Sequence, residues 1–514
     1  MVILQPCDWI ESDSKFKYVV DIFGRTSGNE VSKVRLTGFQ PYFYLKSTEN
    51  ETASQIHTLL EQKSDKKLRG LKITQELKLD AMRGFNGLKP IKVWKFSCPA
   101  LWMFKTISKT LKNNFKIGER KISIEDIYEN NLPPYIRLFH ELNISPASPI
   151  EFEADEYDPE DDENIDVYYE LDYSEIKSSS STPIPLLACA YDIETYSSTG
   201  KFPVATIYED EIMQIGLSFR YTNDLLKNVK KFVFVNKECS ESLDPSVKFI
   251  SCKDEKDLLV KFHKCILDEN PDIIAGYNTF GFDDPYIADR SHINKVSLNF
   301  GRIPIESWKA KEYVTTEKKT FELASGKFAV RYISMPGRLT IDLLLSVRRE
   351  QNLDSYKLDN VSSVFLRDKV LKIEGSKITT RNTRGLFEGN LVKFDIVTNT
   401  SNPYLEGKKF QIHSLTSNSF EISSSLFDEL SHEEKSKLEW TFTKDDVNAK
   451  ILFSSHYGTP EDRGLIAKYC IQDCDLVLTL MAKLDTFVNA CGMADVCKVP
   501  IQYIFLRGQG IKIY

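Results

Sequence analysis

From Leu186 to Leu484 the chain alternates short apolar runs with stretches of helical spacing, and this alternation constrains the fold more than any other feature. LLACAYDIE, IMQIGLSF, KFVFV and DIIAGYN read as strands. KDLLVKFHKCILDEN reads as an amphipathic helix that ends near Asn270-Pro271, and a second helix is expected from Pro285 to Ile293. GRLTIDLLLSVRRE continues as strand then helix, and residues 460–484 form a long helix with Pro460 and early acids at its start. This is an α/β layer pattern. Residues 369–445 break it with Thr, Asn, Ser and Gly and with the strand-like runs LVKFDIV, KKFQIHSL and SFEIS, so an all-β insertion is expected there, with Ser431 capping one short helix. The insertion is either a binding module or a surface excursion.

Residues 1–150 mix strands such as YVVDIFG with a surface helix over 51–63, a helix in FKTISKTLKNNF that is basic on one side, and another in LPPYIRLFHEL. This predicts a compact α+β domain. The net charge of −7 looks wrong for a partner of nucleic acid until its distribution is read. Between Glu151 and Ile176 there are 13 Asp or Glu and no Lys or Arg, and without that strip the net charge becomes +6. A mildly basic body attracts phosphates locally. The strip and the following SSSSTPIP are expected to be a linker over 151–185. No apolar run approaches the ~20 residues that span a bilayer, so no membrane partner is expected. The N-terminus lacks the basic region of a signal peptide. The 10 cysteines include no CxxC pair; Cys470 and Cys474, four apart on one helix, read as buried fillers. A reducing, intracellular compartment fits.

Three acidic clusters carry the candidate chemistry. Asp192 and Glu194 end an apolar strand two residues apart, so they point to one face. Two such carboxylates are costly unless a cation holds them, and a divalent metal is the simplest partner; a solvated strand end is the plain alternative. The second cluster, GYNTFGFDD, follows the DIIAG strand and precedes a helix, a junction that delivers polar groups to a sheet edge. Asn278 there could bind substrate or merely make a turn, and Asp283 and Asp284 could be ligands or helix N-terminal charges. The third cluster sets Tyr469 and Asp473 four apart on one helix face, as a phenol beside a carboxylate or as a surface hydrogen bond. Four carboxylates and a tyrosine are what two divalent metals need to cut a phosphodiester, with magnesium or manganese favoured by the hard oxygens.

YDIETYSSTGKFP, GYNTFGFDDPYIADR and YCIQDCDLV resemble, in order, the three exonuclease motifs of the family B DNA polymerases. GRLTIDLLLSVRRE, SYKLDNVSSVFL and VPIQYIFLRGQGIKIY are similar to delta-type members, LPPYIRLFHELNI and FQPYFYLK to their N-terminal domain, and the flavour is that of large DNA viruses. The resemblance implies a ribonuclease-H-like 3′→5′ exonuclease domain over 186–505, interrupted by 369–445, preceded by a template-contacting and partly OB-like domain. It makes Asp192, Glu194, Asp283 and Asp473 metal ligands, choosing Asp283 over Asp284 and Asp473 over Asp475. It lays Asn278 and Phe282 against the 3′-terminal nucleotide and gives Tyr469 the attacking water, the DEDDy arrangement. Two divalent cations, Mg2+ or Mn2+, are the implied cofactors.

The implied partners are a single-stranded 3′ end and a primer-template, with room for a C-terminal polymerase chain and a sliding clamp. The family's D-x2-SLYPS and Y-x-DTDS palm motifs are missing, and 506–514 resemble the approach to the palm. The expectation is therefore the N-terminal, proofreading part of a replicative polymerase, either of a longer chain or of a split gene, at a nuclear or cytoplasmic replication site of a host. The rival readings are a non-catalytic DNA-binding part and a stand-alone exonuclease.

Overall fold

The computed structural model describes residues 1–79, 89–158, 164–242, 244–303, 313–323, 326–398, 400–423, 427, 429–444 and 449–507. GQGIKIY, expected from the resemblance to approach a palm, lies outside them. The chain divides into two compact units, Met1–Ile184 with Met493–Ile501, and Pro185–Gly492 with Gln502–Tyr514.

In the first unit a six-stranded sheet runs Val167–Asp172, Val31–Thr37, Lys17–Thr26, Val2–Ser14, Ile150–Phe152, Lys177–Ser178. A four-stranded antiparallel sheet, Lys72–Leu79, Pro90–Ser97, Tyr42–Lys46, Ile127–Tyr128, shares a core with the helices Ala53–Ser64 and Leu101–Lys112. The acidic strip is not a linker, which corrects the expectation for 151–185. Ile150–Phe152 pairs antiparallel with Val2–Ser14, and Val167–Asp172 pairs in parallel with Val31–Thr37. The reason is the alternation within VYYELD: Tyr169 and Leu171 are buried while Glu170 stays exposed. The acids ride on the outward face of a strand. A second correction falls at the other end of the chain. Met493–Ile501, expected within the exonuclease domain, belongs to the first unit. Asp495 there accepts hydrogen bonds from the Ala147 N–H at 2.9 Å and the Ser148 hydroxyl at 2.5 Å.

The second unit is built on a six-stranded mixed sheet in the order Val247–Cys252, Lys230–Asn236, Ile212–Tyr221, Leu187–Thr195, Ile273–Gly276, Leu339–Asp342. The period of two divides its faces. Tyr191, Ile193, Ile215 and Leu217 join the core that also buries Leu258, Leu259, Phe262 and Ile266 of the Glu255–Glu269 helix. Asp192 pairs with Gly216 and Glu194 with Gln214, so these four share the other face, where the helix Pro460–Lys483 lies. Thr459 and Asp462 close a capping box at that helix's start.

The β-rich insertion is a closed barrel. Its strands run Leu391–Val397, Phe410–Leu415, Ser419–Ile422, Lys377–Thr380, Arg367–Glu374, Leu438–Thr443, and the last pairs back with the first. Ser401–Pro403 adds a short outer strand. Val392, Phe394, Phe410, Phe420, Phe427, Ile412 and Trp440 are buried in the interior, so the barrel is a packed body. His432–Ser436 is the short helix, capped by Ser431 with Glu434.

Candidate exonuclease site

The site begins at the end of the Leu187–Thr195 strand, where Asp192 and Glu194 stand half-buried on the helix-covered face. The Ile193 N–H between them donates to the Asp283 carboxylate at 3.1 Å. This bond brings the second cluster to the first. Asp284 turns into the interior instead, accepting from the Tyr191 hydroxyl and, at 2.9 Å, from the Ile333 N–H. Burial lifts the Asp284 carboxyl to about 7, while those two donors oppose the rise. Of the two adjacent acids, Asp283 is the one whose charge acts on Asp192.

The loop that carries Asn278 is fixed by a residue that sequence reading did not select. Asp342 ends the edge strand Leu339–Asp342 and caps the helix Leu343–Glu350. Its carboxylate accepts the N–H groups of Asn278 at 2.9 Å, Phe280 at 3.2 Å and Leu344 at 3.0 Å. Burial raises the Asp342 carboxyl to about 6, held from going further by these N–H donors. Asn278 adopts a left-handed φ of 64° and stays exposed, a conformation asparagine tolerates better than most residues. Phe282 packs edge-on against the exposed Phe202 at 5.4 Å between ring centres.

The third cluster comes from the Pro460–Lys483 helix. Asp473 is 9% exposed and lies close enough to Asp192 and Glu194 to raise both carboxyls, after burial itself, by like-charge repulsion. Asp475 is occupied elsewhere, by Lys231 at 2.6 Å, the Ser218 hydroxyl at 2.6 Å and Arg220 at 2.9 Å. Tyr469 is half-buried. Its phenol is pushed up to about 12, by burial first and the Asp473 charge second, so it stays protonated at neutral pH.

Lys444 was also missed. It follows the last barrel strand, is 7% exposed, and sets its ammonium 2.6 and 2.8 Å from the two oxygens of Asp473. It also reaches Asp359 at 3.2 Å and lies 4.9 Å from the centre of the Tyr469 ring. No local signal marks it, because a lysine after a strand is ordinary and its partner is 29 residues away. Asp342 did carry a signal, an acid closing a buried strand directly before a helix.

The described residues gather no three His, Cys, Asp or Glu side chains tightly enough to hold a metal ion. The donor chemistry nevertheless fits a hard divalent cation. Burial first, then repulsion from neighbouring acids, raises Asp192, Glu194 and Asp283 well above the usual carboxylate range: Asp283 and Asp473 act on Asp192, Asp192 and Asp473 on Glu194, and Asp284 on Asp283, while Lys444 is the ammonium that partly relieves Asp192 and Glu194. Such a set is short of positive charge.

Close approach of helix to sheet depends on one glycine. A Cβ on Gly216 would stand 3.0 Å from the sulfurs of both Cys470 and Cys474. Those two thiols are fully buried fillers, and Cys470 also donates weakly to the Asp192 carbonyl at 3.6 Å. Gly216→Ala is expected to destabilise the chain by about 1–3 kcal/mol through overpacking. An unchanged thermal unfolding midpoint would count against this packing.

Residues 125–361 match the family model for the DNA polymerase family B exonuclease domain. That match includes Asp192, Glu194 and Asp283 and ends before Lys444, Tyr469 and Asp473. The chain is similar to the DNA polymerase of Pyramimonas orientalis virus, at 26% identity over 99% of this chain and 52% of that protein. It is similar to the DNA polymerase delta catalytic subunit of Dictyostelium discoideum, at 25% identity over 96% of this chain and 39% of that one. It thus spans about half or less of the length of these relatives. Among solved structures, the family B DNA polymerase from the hyperthermophilic archaeon Pyrobaculum calidifontis shares the fold, with a TM-score of 0.61 and 16% identity over 99% of this chain and 49% of that one. The stretch that carries Asp192, Glu194 and Asp283 thus matches the exonuclease domain of DNA polymerase family B, and the chain over nearly its whole length is similar to viral and delta-type DNA polymerases.

Proposed function

We propose that the chain hydrolyses the last phosphodiester of a frayed DNA 3′ end, as the proofreading part of a replicative DNA polymerase whose nucleotidyl-transfer site lies outside this sequence. The observation that carries this is the meeting of Asp192, Glu194, Asp283 and Asp473 from one strand end and two helices, with Tyr469 one helical turn from Asp473. The reading makes the site DEDDy-type and the sheet ribonuclease-H-like. The four carboxylates would hold two divalent cations, Mg2+ or Mn2+, which when bound supply charge stabilisation at phosphorus and at the leaving 3′-oxygen and favour ionisation of water.

The remaining work belongs to the chain. The protonated Tyr469 hydroxyl orients the attacking water. Asn278 and Phe282 hold the terminal nucleotide, one by its exposed amide and the other by its ring. Lys444 offers a fixed positive charge beside Asp473 where negative charge grows on the phosphate. A stacked, paired end keeps its terminal phosphate away from the carboxylates, and a mismatch lowers the cost of fraying, so editing is selective. The first unit is assigned to the template on the same reading.

With magnesium, the chain is expected to shorten single-stranded DNA from its 3′ end to nucleoside monophosphates. A fully paired end should be cut more slowly than a mispaired one, and a chelator should stop both. Equal cutting of paired and unpaired ends, or cutting that survives the chelator, would refute the reading.

A further inference from the structure

The barrel over Arg367–Thr443 has no part in the chemistry above, and its described interior is filled by apolar side chains. Its attachments are more telling. Arg384 donates to the Ala482 carbonyl at 3.2 Å, and Lys483 donates back to the Arg384 carbonyl at 3.4 Å. Phe387 of the barrel lies under the buried Arg220 guanidinium at 5.3 Å. Gly385, at φ +94°, sits so close to Leu366 and Thr479 that a Cβ would stand 2.9 and 3.1 Å from their methyl carbons. The barrel is thus strapped along the C-terminal half of the helix that carries Asp473.

Its last strand then leads straight to Lys444. Leu438–Thr443 is paired on both sides, with Arg367–Glu374 and Leu391–Val397, so Lys444 emerges from a strand without freedom to slide. The same Leu391–Val397 strand pairs Val392 with Phe410, directly after Lys409. Lys409 closes the arrangement: its ammonium donates to the main-chain carbonyl of Lys444 at 2.5 Å. A long lysine side chain loses much rotamer freedom when it is pinned to one acid, and a fixed backbone at its root limits how far the head can stray.

We propose that the insertion is a positioning device for the exonuclease site, and that Lys409 is the residue through which it holds Lys444 on Asp473. Lys409 acts on the site through Lys444. The inference rests on the exonuclease reading and deepens it.

The test is a double-mutant cycle on the full chain with magnesium and single-stranded DNA. Lys409→Met, which keeps the apolar stem, is expected to slow trimming on the order of tenfold, seen in kcat more than in KM. Lys409→Arg, which keeps a donor, is expected to restore most of the rate. In a Lys444→Met background, Lys409→Met is expected to add nothing, whereas mere structural damage would slow both backgrounds alike. A metal-free readout accompanies it. Modification of Lys444 by an amine-reactive ester, followed by mass spectrometry, should rise severalfold in Lys409→Met. Wild-type trimming and labelling in Lys409→Met, or equal slowing in both backgrounds, overturns the proposal while the functional reading stands. A wild-type chain that does not trim at all overturns both, so the two failures are distinct.

Discussion

Replacing Asp192 and Glu194 together by alanine is expected to lower magnesium-dependent trimming of single-stranded DNA by ~10³-fold or more, the scale reached when preorganised charge is removed from a reacting phosphate. The two side chains share one face of a strand whose other face is core, so the change removes charge without opening the hydrophobic packing of Tyr191 and Ile193. The fold should not suffer. Both carboxyls are raised by burial, then by neighbouring acids, and are only partly relieved by Lys444. Without metal they repel one another, so the double variant should unfold at the wild-type temperature or above it. Sites arranged for function commonly hold destabilising groups of this kind. The decisive measurements are the trimming rate and the thermal midpoint in the presence of a chelator. A double variant that trims at the wild-type rate removes these residues from the chemistry. One that is inactive because it is unfolded would instead show a lowered midpoint.

Lys444→Met is expected to have the second largest effect. It leaves the Asp473 carboxylate, 9% exposed, with its cation gone and the charges of Asp192 and Glu194 nearby. Breaking a buried pair from one side costs about 3–5 kcal/mol in well-formed cases. Here part of that cost is recoverable, because a divalent cation supplies the missing charge. The midpoint of the variant should therefore fall in metal-free buffer and climb more steeply with added magnesium than that of the wild type. Trimming should drop ~100-fold through loss of a fixed positive charge near the phosphate, with binding of the single-stranded end, read by fluorescence anisotropy, little altered. An unchanged trimming rate would reduce Lys444 to a structural counter-ion.

Much of this site was legible in the residues because its parts follow local periods. DIE places two acids on one face by the period of two. Thr459, Pro460 and Asp462 announce the helix that carries Tyr469 and Asp473. The neighbouring acids are engaged elsewhere: Asp284 with Tyr191, and Asp475 with Lys231 and Arg220. What was not legible depends on long-range pairing. Lys444 reaches Asp473 only after a barrel has closed, and closure rests on Leu391–Val397 meeting Leu438–Thr443. The acidic strip read as solvated because its charge count overshadowed the alternation in VYYELD, whose parallel partner lies 135 residues away at Val31–Thr37. The return of Met493–Ile501 to the first unit depends on the register of Asp495 against Ala147 and Ser148, which no local pattern encodes.

That return has a consequence for biosynthesis. A ribosome makes the chain at roughly 5–20 residues per second, and domains generally fold as they emerge. The segment Met1–Ile184 cannot do so to completion, because the side chain that ties down Ala147 and Ser148 is still unmade for more than three hundred codons. The second unit is almost wholly synthesised in the interval. Nascent chains released before Asp495 emerges should therefore be protease-sensitive near residues 145–148, and the first unit should gain its final protection only after the second has been translated.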